Sequence, residues 1–165
     1  MATIRRAEVE WIGGFTDGEG RIVSTTTGAL PELEVTWNAR VDEEQGITSP
    51  EELLAAAHAA CFAMQFTHGL IGAGAEPEEM RVTAAVRFEP GLGITDSALT
   101  ARVSVTGLSD EKIRETAERA KLGCPISRAL AGVDITLELP DLEPPPGEEP
   151  TAGTASDSAQ AAGTG

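Results

Sequence analysis

The feature that most constrains the fold of this chain is one long alanine-rich segment, SPEELLAAAHAACFAMQFTHGLIG, at residues 49–72. Ser49 is a good N-cap, Pro50 suits the first helical position, and acidic residues in the first turn favour the positive helix end. Ser49 and Glu52 also fit the S-x-x-E capping box. The predicted helix is apolar on almost all sides, and a helix without a polar face is usually buried. We therefore expect it to be buried in part by pairing of helices across a dimer.

The segments on both sides of this helix have the alternation of β-strands. Before it, AEVEWI, RIVS and LEVTW are separated by glycine turns, which predicts a three-stranded meander. After it, MRVTAAVRFEP and DSALTARVSVTG are two long alternating strands joined near Gly91–Gly93. An amphipathic helix from Ser109 to Gly123, a short helical turn CPISRALAG and a last strand VDITLEL follow. A chain of 165 residues favours a single domain built from these elements.

From Pro140 onward the chain is rich in Pro, Gly, Ala, Thr and acidic residues, and it has no periodicity. Such a composition is too polar to bury a core of its own. We expect one domain over residues 1–140 and an acidic, disordered tail over residues 141–165.

The charge of the chain excludes several classes of function. Its formal net charge of −15 argues against nucleic-acid binding and against anionic membrane surfaces. No apolar run approaches the ~18–20 residues of a membrane span, and the N-terminus lacks the apolar core of a secretory signal. We expect a cytoplasmic protein. In that reducing compartment, the two cysteines are more typical of catalytic or buried thiols than of a permanent disulfide.

The two cysteines occupy different local environments. Cys61 is in the middle of the alanine-rich helix, where burial disfavours its thiolate and where a cysteine is usually an inert small hydrophobe. A functional Cys61 therefore needs a nearby positive group. Cys124 precedes Pro125 at the start of a short helix, where free N–H groups and the helix dipole stabilise a thiolate. Together they would suit a peroxidatic and resolving pair.

SPEELLAAAHAACFAM and AKLGCPISRAL resemble the two cysteine signatures of the OsmC/Ohr family of bacterial hydroperoxide peroxidases. The resemblance extends over roughly residues 3–139, and His58 three residues before Cys61 is closer to the OsmC branch than to the Ohr branch. It implies an OsmC-like α+β fold in which antiparallel β-sheets pack on a long central alanine-rich helix, assembled as an intertwined homodimer.

The resemblance also implies the chemistry. Cys61 matches the peroxidatic cysteine, which attacks an organic hydroperoxide and becomes a sulfenic acid, and Cys124 matches the resolving cysteine, which forms a disulfide with it. A dithiol reductant, typically a lipoylated protein, then reopens the disulfide. Hydrogen peroxide is expected to be a poorer substrate than an organic hydroperoxide. No cofactor, metal, nucleic acid or membrane is expected to take part.

Two further residues match the family pattern, Arg40 in WNARVD at the end of the third strand and Glu51 in the P-E-x-L signature. A guanidinium would keep the Cys61 thiolate ionised, and Glu51 would hold that guanidinium in place. Glu51 and Cys61 are ten residues apart, about 15 Å on a straight helix. They share a site only if the helix breaks or a partner subunit supplies Glu51, and we expect the second. Arg21 is the weaker alternative to Arg40.

Other interpretations of the same residues remain open. His58, His68 and the two cysteines are a candidate zinc set, but the close-set ligand pairs of such sites are missing. His58 is more simply a hydrogen-bonded core residue. The alternative function is a non-catalytic OsmC-like protein that binds an apolar small molecule or senses redox state. The simplest possibility is a dimer whose cysteines are merely buried.

Overall fold

The computed structural model describes residues 2–41 and 46–142. Of the tail predicted over residues 141–165, only residues 141 and 142 are among these described residues. The elements run in the order β1 (Ala7–Ile12), β2 (Glu19–Thr25), β3 (Leu33–Thr36), α1 (Asn38–Val41), α2 (Pro50–Gly72), β4 (Pro77–Glu89), β5 (Gly93–Val105), α3 (Asp110–Gly123), α4 (Pro125–Ala129) and β6 (Asp134–Glu138).

The central helix α2 has the bounds that its sequence predicts. The Ser49 hydroxyl accepts a hydrogen bond from the N–H of Glu52, and Pro50 is the first helical residue. The Glu52 carboxylate does not close the capping box but accepts a 2.5 Å hydrogen bond from the Thr48 hydroxyl. Both interactions satisfy polar groups at the start of the helix, so its first turn is well anchored.

The N-terminal sheet is the predicted antiparallel meander, in the order β1-β2-β3. Its strands approach closely at Gly20, where a Cβ atom would lie 2.7 Å from the side chains of Trp11 and Val35. Every residue of β1 is exposed, including its apolar ones. Trp11 and Ile12 are exposed by 45% and 77%, and exposed apolar surface of this kind is typical of interaction sites.

The second sheet has the order β4-β5-β6. β4 and β5 form the predicted long antiparallel hairpin, whereas β6 pairs with β5 in parallel. The sheets are therefore antiparallel except for this last pair. The parallel pairing is possible because α3 and α4 lie between β5 and β6 and carry the chain back across the sheet.

The core of the domain lies between α2, α3 and the second sheet. One face of α2 contributes Phe62, Phe66 and Leu70, which are fully buried. Gly69 allows α3 to approach, since a Cβ atom there would lie 2.8 Å from the methyl group of Thr116. The central helix thus holds the second sheet and α3 together through a single apolar face.

The rest of α2 is open in the single chain. By length and composition this 23-residue helix, with a mean hydropathy of 1.2 over its most apolar window, would be able to cross a membrane, which the sequence alone did not lead us to expect. Its packing on β4 and α3 identifies it instead as a central helix of the domain. The open side carries Ala56, Ala57, Ala60 and Met64. Small side chains on an exposed helix face permit the close approach of another helix.

Candidate active site

The structure brings the two cysteines together. Cys61 is half-buried in the middle of α2, and Cys124 is fully buried in the break between α3 and α4. The Cys124 N–H donates to the Ala120 carbonyl at 2.8 Å, and Pro125 starts the next helix. This break turns the Cys124 side chain toward α2, where both cysteines are free thiols in side-chain contact with each other.

Burial raises the pKa of the Cys61 thiol above its usual value. The adjacent Cys124 thiol raises it further, and a hydrogen bond from the backbone N–H of Ile126 offsets part of the rise. No basic side chain among the described residues contributes to this pKa. The described residues of the single chain thus disfavour the Cys61 thiolate, which is the reactive form of a cysteine.

The pKa of Cys124 is shifted in the opposite direction. Burial acts to raise it, but the Ser127 backbone N–H, the Cys61 thiol and the Ser127 hydroxyl, which lie beside the sulfur, outweigh burial and lower it. The sulfur makes no close N-cap hydrogen bond, yet the first N–H groups of α4 are near enough to stabilise its anionic form. The helix start thus favours the Cys124 thiolate, as predicted from the C-P step.

Arg40 and Glu51 form a second, separate centre. Arg40 lies on the short helix α1 rather than at the end of β3, because the chain turns into a helix directly after Trp37. Its Nε donates to both Glu51 carboxylate oxygens at 3.1 and 3.2 Å, and its Nη2 donates to Oε1 at 2.6 Å. The carboxylate is buried and sits in the positive first turn of α2. Such forked contacts fix the plane of the guanidinium.

Aromatic rings also hold this guanidinium. Its central carbon lies 4.2 Å from the ring centroid of Phe88, at the end of β4, and 5.4 Å from that of Trp37. Both distances are within the range of cation–π attraction. Arg40 retains 28% side-chain exposure, so one side of this fixed cation remains accessible.

The two centres do not meet within one chain. α2 is continuous from Pro50 to Gly72, so the alternative in which the helix breaks between Glu51 and Cys61 is wrong. Ten residues of unbroken helix separate the two by about 15 Å along the axis. The chain's own Arg40–Glu51 pair is therefore held away from the chain's own Cys61.

The remaining candidate residues have structural surroundings. Arg21 lies on β2, is half exposed, and forms ion pairs with Glu32 and Glu34 at 3.6 and 3.4 Å. His58 is fully buried, and each of its ring nitrogens is hydrogen-bonded to a serine hydroxyl. His68 is exposed and lines a cavity between α2 and α3 that includes neither cysteine nor His58. These positions separate the histidines, so the zinc set drawn from the sequence does not assemble in the chain.

Sequence reasoning missed several residues that the fold brings to these centres. Phe88 stacks on Arg40, and Ser97 and Ser127 bind His58. Only Ser127 carried a local signal, because it is the third residue after Cys124 and thus faces an N-cap side chain. The other contacts join distant parts of the chain.

An apolar cavity of about 260 Å³ lies beside the guanidinium. It is lined by Trp11, Phe15, Val35, Thr36, Trp37, Arg40 and Pro50. The wall is almost wholly apolar apart from the cation, and the Phe15 and Trp37 rings pack 4.3 Å apart. A molecule with an organic body and one polar end would match this lining.

Comparison with known proteins identifies the family. The family model described as OsmC-like protein matches residues 41–138. The chain belongs to the OsmC-like family. Peroxiredoxin OsmC of Escherichia coli (strain K12) is 37% identical to it over 141 residues, which is 84% of this chain and 96% of that protein. The organic hydroperoxide resistance protein OhrA of Bacillus subtilis (strain 168) is 28% identical over 136 residues, 81% of this chain and 94% of that protein.

Solved OsmC-like structures have the same fold. The organic hydroperoxide resistance protein OsmC of Legionella pneumophila superimposes with a TM-score of 0.61 at 29% identity, and the match covers 81% of this chain and 96% of that chain. The predicted OsmC-like α+β fold is therefore confirmed. α2 is the central helix of that fold rather than a membrane span.

The contact between the two sulfurs predicts that mild oxidation closes a disulfide inside the chain. Treatment of the reduced protein with diamide should give a Cys61–Cys124 crosslink, seen as the loss of two hydrogens in the intact mass and as one joined peptide pair after digestion. The single variants Cys61→Ser and Cys124→Ser are the controls. Formation of only intermolecular disulfides in the unmodified protein would contradict the observed pairing.

Proposed function

We propose that this OsmC-like protein is a thiol-dependent peroxidase that reduces organic hydroperoxides to alcohols in defence against oxidative and osmotic stress. The observation that carries the proposal is the adjacent pair of free thiols, Cys61 and Cys124, one on the central helix and the other at a helix start. The relatives named as a peroxiredoxin and as hydroperoxide resistance proteins support the same activity.

The reaction proceeds in three balanced steps. The Cys61 thiolate attacks the outer oxygen of ROOH, the O–O bond breaks, and Cys61 becomes a sulfenic acid while the alkoxide takes a proton to leave as ROH. The Cys124 thiol then condenses with the sulfenic acid, forming a disulfide and releasing water. A dithiol reductant, by family resemblance a lipoylated protein, reopens the disulfide by exchange and is itself oxidised to a disulfide.

The first step needs a cation near Cys61, because burial alone favours the neutral thiol. Arg40 is the candidate, since its guanidinium is fixed in plane by Glu51 and by two aromatic rings. Its Nη1 takes no part in the bonds to Glu51 and would donate toward the sulfur. Arg21 is less suited, because it is half exposed and already bound to two carboxylates.

A partner subunit of a homodimer supplies this cation in our proposal. The separation of Glu51 from Cys61 on one continuous helix supports that arrangement. So do the exposed apolar residues of the N-terminal sheet and the open alanine-rich side of α2. Pairing of two α2 helices would cover the small side chains and bring the Arg40–Glu51 pair of one chain toward Cys61 of the other.

The preference for organic substrates follows from the surroundings of Arg40. The cavity beside the guanidinium is lined by Trp11, Phe15 and Trp37, which would hold the hydrocarbon part of a hydroperoxide by burial of apolar surface. Hydrogen peroxide has no hydrocarbon part and would gain no binding energy from this wall.

We also place the protein in the cytoplasm, because the dithiol reductant of the proposed reaction is of a kind found inside cells.

The activity is tested by turnover of cumene or t-butyl hydroperoxide with dithiothreitol or a lipoyl system as reductant. Cys61→Ser should abolish peroxide consumption, because it removes the nucleophile. Without added reductant, Cys124→Ser should still consume about one equivalent and leave a Cys61 sulfenic acid that dimedone traps, since the first step does not need the second thiol.

Persistent turnover in Cys61→Ser would contradict the assignment of the nucleophile. A folded protein with no turnover of any hydroperoxide, and no effect of peroxide on either thiol, would favour the non-catalytic binding protein instead.

Arg40→Ala should slow the reaction of Cys61 with an organic hydroperoxide by about 10- to 100-fold, because an opposite charge close to a thiol favours its ionised form by that order. The apparent pKa of the reactive thiol should rise in parallel. Stopped-flow kinetics under single-turnover conditions, measured across pH, separates this effect from resolution. Arg21→Ala is the matched control and should react at the unmodified rate; the reverse pattern would transfer the role to Arg21.

A further inference from the structure

His58 is a fully buried titratable residue that the proposed reaction does not use. It lies one helical turn before Cys61 on α2. Its Nδ1 is 2.8 Å from the Ser97 hydroxyl of β5, and its Nε2 is 2.9 Å from the Ser127 hydroxyl of α4. Ser97 is fully buried and Ser127 nearly so. A buried imidazole with both nitrogens bonded to hydroxyls is held in a single orientation.

Ser127 connects this histidine to the resolving thiol. Cys124 is the N-cap residue of α4 and Ser127 is the third residue of that helix, which puts the Ser127 hydroxyl and backbone N–H beside the Cys124 sulfur, where both lower its pKa. The order of contacts is therefore Ser97, His58, Ser127 and Cys124, and it joins the second sheet, the central helix and α4. We refer to the first three residues as the Ser–His–Ser chain.

The donors in the Ser–His–Ser chain have one consistent direction when Cys124 is a thiolate. The sulfur can only accept, so the Ser127 hydroxyl hydrogen points at it. The Ser127 oxygen must then accept from the Nε2–H of His58. Burial lowers the pKa of His58, and a neutral imidazole has one donor and one acceptor. Its Nδ1 therefore accepts from the Ser97 hydroxyl.

We propose that the Ser–His–Ser chain holds the Ser127 hydroxyl as a hydrogen-bond donor to the Cys124 sulfur, so that the resolving thiolate forms readily and attacks the oxidised Cys61. Ser127 acts directly on the sulfur, and His58 and Ser97 are positioning residues that act through Ser127. The resolving role of Cys124 rests on the proposed function, whereas the Ser–His–Ser chain is present in the fold whatever the protein does.

The groups that lower the pKa of Cys124 are neutral hydrogen-bond donors rather than charged side chains. Among the described residues, the titratable groups that face Cys124 are Cys61 and, through Ser127, His58, both on α2. No Lys, Arg, Asp or Glu side chain from α3 or α4 contributes to the pKa of Cys124. In the condensation, Cys124 gives up its proton, the S–S bond forms, and the sulfenic oxygen leaves as water. The hydroxyl donor favours the ionised sulfur before that step.

The test is a thiolate titration followed by absorbance at 240 nm in a Cys61→Ser background. Cys124 is then the only thiol, and the chain contains no tyrosine, so ionisation at high pH is read without interference from phenols. Ser127→Ala in this background should move the midpoint upward by about one pH unit, because it removes one hydrogen bond to a charged group.

Two substitutions of His58 each keep one of its two hydrogen bonds and remove the other. The amide of His58→Gln reaches the position of Nε2 and keeps the contact with Ser127, whereas that of His58→Asn reaches only the position of Nδ1 and keeps the contact with Ser97. His58→Asn should therefore raise the midpoint nearly as much as Ser127→Ala, and His58→Gln should raise it much less. The matched control is His68→Asn, on the exposed part of the same helix, which should leave the midpoint unchanged.

An unchanged midpoint in Ser127→Ala would overturn the proposal, and so would equal midpoints in His58→Gln and His58→Asn. Should His58→Asn fail to fold, Ser127→Ala decides the question alone, since it deletes a single oxygen atom. The titration uses no peroxide, so its outcome is independent of whether the protein is a peroxidase.

The rate of disulfide closure tests whether the Ser–His–Ser chain affects turnover. With Cys61 present, Ser127→Ala should close the disulfide about tenfold more slowly at neutral pH, because one pH unit in the midpoint is a tenfold change in thiolate. The Cys61 sulfenic acid should accumulate and be trapped by dimedone, while the first reaction with hydroperoxide keeps its rate. Slower reaction with hydroperoxide and normal closure would contradict this assignment.

Discussion

The continuity of α2 is the constraint on which the rest of the site depends. One continuous helix carries Glu51 in its first turn and Cys61 near its middle, so the two positions are about 15 Å apart along the helix axis. Glu51 in turn fixes Arg40, and the guanidinium therefore stays with the beginning of the helix. Within one chain, Cys61 is therefore held away from the guanidinium that we propose ionises it. The fold supplies both parts, but it supplies them to two different sites.

The two thiols show how the same burial has opposite outcomes. Both sulfurs are withdrawn from water, which disfavours the anion in each case. At Cys124 the start of α4 and the Ser127 hydroxyl compensate, and the pKa falls. At Cys61 the compensation from a single N–H is insufficient, and the pKa rises. The Cys124 thiolate is thus favoured by backbone and hydroxyl groups of its own chain, whereas Cys61, the nucleophile of the proposed reaction, would depend on a full charge from a partner subunit. In the proposed homodimer, this difference would make the reaction of Cys61 with peroxide depend on dimer assembly.

Much of the fold could be predicted because its signals are local. The Ser49 cap, the long β4–β5 hairpin and the helix start at Cys124 follow from residues within a turn or two of each other. The parallel pairing of β6 could not, since strand direction after two intervening helices depends on the path of the chain. The stacking of Phe88 on Arg40 and the hydroxyls around His58 were missed for the same reason: each joins residues that are neighbours only in the folded chain. His58 was expected to be bonded in the core, but the sequence did not identify Ser97 or Ser127 as its partners.

Complementation between two impaired variants tests the central claim, that Arg40 of one subunit activates Cys61 of the other. Arg40→Ala and Cys61→Ser would be unfolded together and refolded as mixed dimers. If the site is shared, each mixed dimer contains one site with both residues intact. The mixture should then regain roughly a quarter of the unmodified hydroperoxide turnover, since about half of the dimers are mixed and half of their sites are complete. Turnover no greater than the sum of the two separate variants, in a mixture proved by native mass spectrometry to contain mixed dimers, would contradict the account.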